Sequence, residues 1–309
     1  MILITAPVHT HFLHVLDARG MEYRYVPEMD YDSLRSEITL AVGLVVSTQI
    51  PIDRSMLESA PLLQWIARLG SGMEHIDVAF AESKGIRCIS SPEGNRRAVA
   101  EHAMGLLLNV VRNINACQHE LKQFQWLRDK NRGMELEGKT AGIIGFGNTG
   151  SSFGRLLAAF GMQVLAYDKY REVQPELNIR SATITELMEQ ADVISLHLPY
   201  TPETHYLAGS DFFQALKSKP VIINTSRGSV LDSSALSDAL DAGMISGAGL
   251  DVLENEKPNS FNSEERALFE RLIHDPRIVL TPHIAGYTRE SPRKMAMVIL
   301  EKLGLTSPK

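Results

Sequence analysis

The stretch Lys139-Thr140-Ala141-Gly142-Ile143-Ile144-Gly145-Phe146-Gly147-Asn148-Thr149-Gly150 decides how this chain is read. An apolar run at 141–144 feeds directly into Gly-x-Gly-x-x-Gly, and a helical pattern, Phe153-Gly154-Arg155-Leu156-Leu157-Ala158, follows at once. Gly145 permits the tight turn from strand to helix, Gly147 lets the backbone approach a pyrophosphate, and Gly150 lets helix and strand pack closely. The helix N-terminus then offers unpaired N–H groups to the anion. The next apolar run, 163–167, ends on Asp168, about 20 residues further on, where an acid accepts hydrogen bonds from ribose hydroxyls and repels a 2′-phosphate. This favours NAD over NADP, although Lys169 and Arg171 stand close by. The bland alternative is a glycine-rich turn in a non-binding domain. The complete strand, turn, helix, strand and acid sequence argues against it.

Around this motif, apolar runs at 141–144, 164–167, 193–198, 221–224, 246–250 and 278–280 alternate with helical patterns near 149–160, 184–190, 210–217, 233–241 and 264–273. Six strands with crossover helices make a complete dinucleotide-binding domain. The first 90 residues alternate in the same way, with apolar runs at 2–5, 23–26, 42–47, 63–69 and 86–90 and helical patterns near 10–19, 53–59 and 76–84. The expected class is α/β, with two doubly wound parallel sheets. Between them, residues 95–111 predict a helix that is apolar on more than one face, and a polar stretch containing Trp126 runs from 113 to 138. A last helix over about 289–303 is expected to return to the first domain. The expected division is 1–95 with 284–309, and 96–283.

Composition narrows the classes. Hydrophobic residues make up 44% of the 309 and charged residues 22%, ordinary for a water-soluble globular chain. A net charge of −6 leaves no basic surplus for nucleic acid, and Arg96-Arg97 is the tight candidate for a local basic patch. Cys88 and Cys117 show no metal-ligand spacing and read as free thiols in a reducing compartment. No metal is expected. The chain starts on an apolar strand with no leader pattern and has no run of about 18 apolar residues, so a cytoplasmic location without membrane contact is expected.

Three chemically capable residues follow successive strand ends of the second domain. Arg227 follows 222–226, Glu256 lies just beyond Gly249-Leu250-Asp251-Val252, and His283 follows 279–282. Open α/β sheets bind ligands at the carboxyl ends of their strands, so all three should converge. An arginine there can fork onto a carboxylate and polarise a neighbouring carbonyl. A histidine donates and accepts protons near neutral pH, and an adjacent carboxylate fixes its tautomer. Each residue alone could equally be a surface arginine, a solvated acid or a strand-capping histidine. Glu254 competes for the acidic role.

Five segments resemble the signature blocks of the D-isomer-specific 2-hydroxyacid dehydrogenases. They are Gly145-Phe146-Gly147-Asn148-Thr149-Gly150, the run His197-Leu198-Pro199-Tyr200-Thr201-Pro202-Glu203-Thr204, Asn224-Thr225-Ser226-Arg227-Gly228, Gly249-Leu250-Asp251-Val252, and Thr281-Pro282-His283-Ile284-Ala285-Gly286. The resemblance covers nearly the whole chain. It implies a Rossmann NAD-binding domain at 96–283 and a flavodoxin-like substrate-binding domain at 1–95 with 284–309. The implied activity is NAD-dependent hydride transfer between cofactor and a 2-hydroxy or 2-oxo acid. It selects Glu256 over Glu254 as the partner of His283, and gives Asp251 to the nicotinamide carboxamide. Gly145, Gly147, Asn148, Thr149, Gly150, Asp168, Pro199, Thr204, Thr225 and Gly286 are the other implied cofactor contacts. The family is usually dimeric through the region from about Asn95 to Trp126, so a homodimer is expected.

On the substrate side, the resemblance implies that Arg68, Ser71 and Gly72, with Arg227, contact the substrate. The accessible amides of Ala67-Arg68-Leu69-Gly70-Ser71-Gly72 would meet its carboxylate. Arg68 before the glycine loop resembles the phosphoglycerate dehydrogenases. Against that, Ser47-Thr48-Gln49-Ile50-Pro51 lacks the arginine those enzymes usually carry, and Arg96 could stand in as phosphate ligand. The chain ends at Lys309, so no C-terminal regulatory domain is expected. 3-Phosphoglycerate and phosphohydroxypyruvate are the expected pair, with glyoxylate or hydroxypyruvate reduction as the alternative. A different class, an NAD-sensing binding protein like the carboxy-terminal-binding corepressors, would share the same motifs; turnover separates the two.

Overall fold

Every strand pairing between named strands is parallel, and the strands sort into a five-stranded and a seven-stranded sheet. The computed structural model describes residues 1–306. The expected range 284–309 therefore reaches beyond the described residues at 307–309. The chain divides into one unit formed by Met1–Arg96 and the chain from Tyr287 on, and a second formed by Arg97–Gly286.

In the first unit, strands β1 (Ile2–Ile4), β2 (Tyr23–Tyr25), β3 (Gly43–Val46), β4 (Trp65–Arg68) and β5 (Arg87–Ser90) stand in the order β2-β1-β3-β4-β5. This is the flavodoxin-like order. β1 and β3 are buried along their whole length, as expected for parallel strands covered on both faces. The intervening helices are α1 (Thr10–Ala18), α2 (Tyr31–Glu37), α3 (Arg54–Glu58) and α4 (Val78–Ser83). Asp30, Asp53 and Asp77 cap α2, α3 and α4 by accepting backbone N–H groups in their first turns. The apolar pattern did not announce α2, because Leu34 is its only buried residue. The final helix, α12 (Ser291–Lys302), packs within this unit. Its Ala296, Ile299 and Leu300 join Ile2, Ile4, Phe12 and Leu16 in one core cluster.

Helix α5 runs from Pro92 to Val111, starting earlier than Asn95 because a proline suits the first helical turn. Asn113, at φ 53°, breaks the chain out of α5. The stretch 113–138, expected to be polar, contains a second helix, α6 (Ile114–Lys122). Its Ile114 and Leu121 point outward, so no buried apolar stripe marked it.

The second sheet has seven strands, not the six expected. They are β6 (Thr140–Ile144), β7 (Gln163–Tyr167), β8 (Ile179–Ser181), β9 (Val193–Leu196), β10 (Val221–Asn224), β11 (Gly247–Leu250) and β12 (Ile278–Leu280). The unexpected strand is β8, a three-residue edge strand of which only Ile179 is buried. Helices α7 (Asn148–Ala159), α8 (Ile184–Gln190), α9 (Ser210–Ala215), α10 (Ser233–Asp241) and α11 (Ser263–His274) connect them. The order β12-β11-β10-β9-β6-β7-β8 is that of a dinucleotide-binding sheet extended by one strand. It reverses between β6 and β9, where such sheets bind ligands at the strands' carboxyl ends.

Candidate active site

The glycine-rich turn lies at the carboxyl end of β6. Gly145 has φ +90°, and a Cβ there would come within 2.4 Å of the His197 carbonyl oxygen. Gly150 is confined more tightly still, since a Cβ would sit 2.0 Å from the Gly145 carbonyl oxygen. Gly147 is different. Nothing lies within 4 Å of its Cβ position, so the space over the turn is open. It caps α7 without any side-chain hydrogen bond, leaving the first-turn amides around Asn148 and Thr149 to an external acceptor.

Among the other implied cofactor contacts, Asp168 is bonded to this turn. Asp168 is fixed by the backbone: Oδ2 accepts from Phe146 N at 2.9 Å, and Oδ1 accepts from Tyr170 N and Arg171 N at 3.0 and 3.1 Å. Lys169 is ion-paired with Glu203, which also accepts from the Tyr170 hydroxyl. Thr204 pins its own loop by donating to the Pro199 carbonyl at 2.7 Å. The Thr225 hydroxyl is buried without a hydrogen-bond partner, and a buried hydroxyl of that kind fits a ligand atom. The open cradle at Gly147 and this orphaned hydroxyl both suit a bound dinucleotide.

The three strand-end residues come together beyond β10, β11 and β12. Asn224 ends β10 fully buried. It accepts from Ser226 N and Oγ and donates to the Arg227 carbonyl, which shapes the turn that carries Arg227. Gly228 must be glycine, since a Cβ would lie 2.0 Å from the Leu253 carbonyl carbon. That contact seats the Arg227 turn against the chain leaving β11. There Glu256 Oε2 lies 2.8 Å from His283 Nδ1. Glu254 is engaged elsewhere, accepting from Ser233 N at 2.8 Å and Ser233 Oγ at 2.7 Å at the start of α10.

This pairing sets the electrostatics. The hydrogen bond that His283 donates to Glu256 is the largest influence on the ring and holds its imidazolium above the ordinary 6.5, against partial burial; Asp251 adds to the rise and the nearby Arg227 opposes it. With Nδ1 engaged by the carboxylate, Nε2 is left for chemistry. Asp251 is 1% exposed. Burial would raise its carboxyl, but bonds from His102, Thr281 and the Ile284 and Ala285 amides outweigh that and hold it low. Of about four acceptor positions on a carboxylate, Thr281 Oγ1, Ile284 N and Ala285 N take three. Gly286 closes the same loop, half-buried.

Arg68, Ser71 and Gly72, the residues expected on the substrate side, belong to the first unit. Arg68 ends β4, and its guanidinium lies over Gly70, where a Cβ would meet Nη1 at 1.4 Å. The Gly70 amide donates to Ser91 Oγ, and Ser71 Oγ donates to Asn95 Oδ1 at 3.2 Å, so the loop through Gly72 is tied to the start of α5.

Residues 104–285 match the NAD binding domain of the D-isomer specific 2-hydroxyacid dehydrogenases. The chain belongs to that family. Its second unit is thus an NAD-binding domain of this kind. A D-3-phosphoglycerate dehydrogenase of Archaeoglobus fulgidus is 33% identical over 98% of this chain and 56% of its own length. The chain therefore spans about half the length of several curated relatives it matches. A hydroxypyruvate reductase of Thermotoga maritima is 34% identical over 89% of this chain and 88% of its own. Among solved structures, a D-lactate dehydrogenase from Aquifex aeolicus complexed with NAD and lactic acid shares 28% identity at a TM-score of 0.84. That match covers 98% of this chain and 94% of the other.

Within this family site, two side chains escaped the sequence reading. His102 of α5 lies 2.9 Å from Thr281 Oγ1 and 3.4 Å from Asp251 Oδ1. A polar residue among apolar ones in a helix carries no sign of a partner so distant in sequence. His197 is buried between Ser195 Oγ at 2.9 Å and Thr149 Oγ1 at 3.2 Å. Burial pushes its imidazole down to about 3, so it is a neutral strut between β9 and the first turn of α7.

Proposed function

We propose that the protein is an NAD-dependent dehydrogenase that interconverts a 2-hydroxy and a 2-oxo acid, with 3-phosphoglycerate and phosphohydroxypyruvate as the substrate pair. The observation that carries the reading is the His283–Glu256 pair at 2.8 Å, on strand ends neighbouring Arg227. NAD supplies the hydride acceptor at C2 when bound. Nε2 of His283 takes the C2 hydroxyl proton during oxidation and returns it during reduction. Glu256 keeps the proton on Nδ1 and stabilises the imidazolium that forms. Arg227 forks onto the substrate carboxylate and polarises the C2 oxygen. Asp168 receives the adenosine ribose hydroxyls, and the first-turn amides at Gly147–Gly150 receive the pyrophosphate. Asp251, Pro199, Thr204, Thr225 and Gly286 complete the proposed cofactor contacts. Arg68, Ser71 and Gly72 are proposed substrate contacts, making the first unit the substrate-binding domain.

Hydroxypyruvate is the second reading. It is favoured by the similarity to a hydroxypyruvate reductase of which the chain covers 88%, and by the absence of arginine in Ser47-Thr48-Gln49-Ile50-Pro51. A homodimer is proposed as well. Phe124 is fully exposed and Trp126 is 82% exposed, just beyond α6, a large apolar area for a solvated loop. With no helix long and apolar enough to cross a membrane among the described residues, and both cysteines free, a cytoplasmic location is proposed.

NADH oxidation followed by absorbance, with phosphohydroxypyruvate, hydroxypyruvate, glyoxylate, pyruvate and 2-oxoglutarate, tests this. Preference for phosphohydroxypyruvate supports the first reading, and preference for hydroxypyruvate the second. Normal NADH binding without turnover of any of them would replace both with an NAD sensor.

A further inference from the structure

Helix α5 lies along β11, and two glycines set the distance between them. A Cβ on Gly249 would come within 2.8 Å of Leu106 Cβ, and one on Gly247 within 2.7 Å of Val110 Cγ1. Along the strand line, Gly247, Gly249 and Asp251 fall on one face; along the helix, Val110, Leu106 and His102 form one stripe. Four helical residues advance about 6 Å and two strand residues about 6.6 Å, so the two rows stay in step. The third step sets His102 against Asp251, with Nε2 at 3.4 Å from Oδ1 and 2.9 Å from Thr281 Oγ1. The Thr281 hydroxyl already donates to Asp251 Oδ1 at 2.5 Å. Nε2 of His102 must therefore carry a proton and act as donor.

Asp251 in turn organises the segment that bears His283. Its carbonyl accepts from His283 N at 2.8 Å, and its carboxylate accepts from Ile284 N and Ala285 N at 2.9 and 2.8 Å. Three consecutive amides thus close on one residue. They hold His283 at φ 54°, a left-handed conformation disfavoured for any side chain with a Cβ. Such a conformation persists only where its surroundings over-determine it.

We propose that His102 is a positioning residue: by donating into the Thr281–Asp251 pair, it holds residues 283–285 in the conformation that presents the His283 ring to Glu256 and to the reacting oxygen. This rests on the reading of His283 as the acid–base group. A histidine kept only to fill space between α5 and β11 could be replaced by leucine without effect on that ring.

The test compares His102→Leu, which removes the donor, with His102→Gln, which keeps one. ADP-ribose affinity reports an intact nucleotide fold. Steady-state kinetics with NADH and hydroxypyruvate report turnover. NMR of ring-labelled histidine, with the His283 signal assigned by its loss in His283→Asn, reports the ring itself. His102→Leu is expected to lower kcat about tenfold, to leave KM and ADP-ribose Kd within about twofold, and to shift the His283 signals. His102→Gln is expected to restore most of kcat and the wild-type His283 signals. Thr281→Val cuts the same chain at the hydroxyl and gives the same loss, which decides the matter if His102→Leu fails to fold. Unchanged kcat and His283 signals in His102→Leu, or a glutamine variant no better than leucine while both bind ADP-ribose normally, would overturn the proposal. Absence of turnover in the wild-type protein would count against the enzymatic reading alone, since the NMR comparison still decides the role of His102.

Discussion

Glu256 is bonded to the His283 ring at 2.8 Å, whereas Glu254, two residues earlier, is bonded to Ser233 and never reaches that ring. Two acids in one loop thus have separable consequences. Glu256→Gln should lower kcat by about 10²-fold while leaving the melting temperature nearly unchanged. Glu254→Gln should do the reverse, costing about 1–3 kcal/mol of stability through the Ser233 contacts with little change in kcat. Parallel kinetics and thermal melts check both, and a swap of the two phenotypes would exchange the roles.

The same pair sets a pH dependence. The imidazolium of His283 is raised above 6.5, chiefly by Glu256. Reduction of a 2-oxo acid needs that proton, so its rate should be flat in acid and fall as pH rises through the raised value. In Glu256→Gln the falling limb moves to lower pH. A limb that stays put in the variant would mean that another group is titrating.

At the glycine-rich turn, the second and third glycines predict opposite defects. The Cβ position of Gly147 is open, so Gly147→Ala should keep its melting temperature yet weaken NADH binding tenfold or more by blocking backbone approach to the pyrophosphate. A Cβ at Gly150 would sit 2.0 Å from a carbonyl oxygen, so Gly150→Ala should lose stability before anything else. Calorimetric titration and melting curves distinguish them. Undiminished NADH binding in a folded Gly147→Ala protein would remove the pyrophosphate from this loop.

His197 gives an acid-stability prediction. Its folded value is pushed down to about 3 from 6.5 by burial. The unfolded chain binds this proton first, so stability is lost as pH falls below 6.5 and continues to fall until about 3. By about pH 5 the loss from this one group is about 2 kcal/mol. Denaturant melts across that range should be less steeply pH-dependent in His197→Asn than in the wild-type protein; identical slopes would show that His197 is not the group responsible.

The parts legible in the sequence are those where local chemistry and position coincide. Gly145, Gly147 and Gly150 advertise themselves because the three stand at fixed spacing directly between an apolar run and a helical pattern. Arg227 and His283 are visible because each follows an apolar run, and parallel strands present their carboxyl ends to one side. Glu256 and Glu254 are not separable by spacing alone; residue chemistry left both open, and resemblance to the family chose between them. Strand β8 passed unseen because a three-residue edge strand with one buried side chain leaves no apolar pattern. His102 stayed hidden for another reason, since its meaning depends on α5 meeting β11 at Gly247 and Gly249, a contact between segments far apart in the chain.

The central claim, that His283 is the acid–base group of an NAD-dependent 2-hydroxyacid dehydrogenase, is tested most directly by His283→Ala. NADH affinity and NADH-dependent reduction of the preferred 2-oxo acid are measured on the same preparation. The account predicts near wild-type NADH affinity with kcat reduced about 10²- to 10⁴-fold. Turnover within a few-fold of wild type would contradict it.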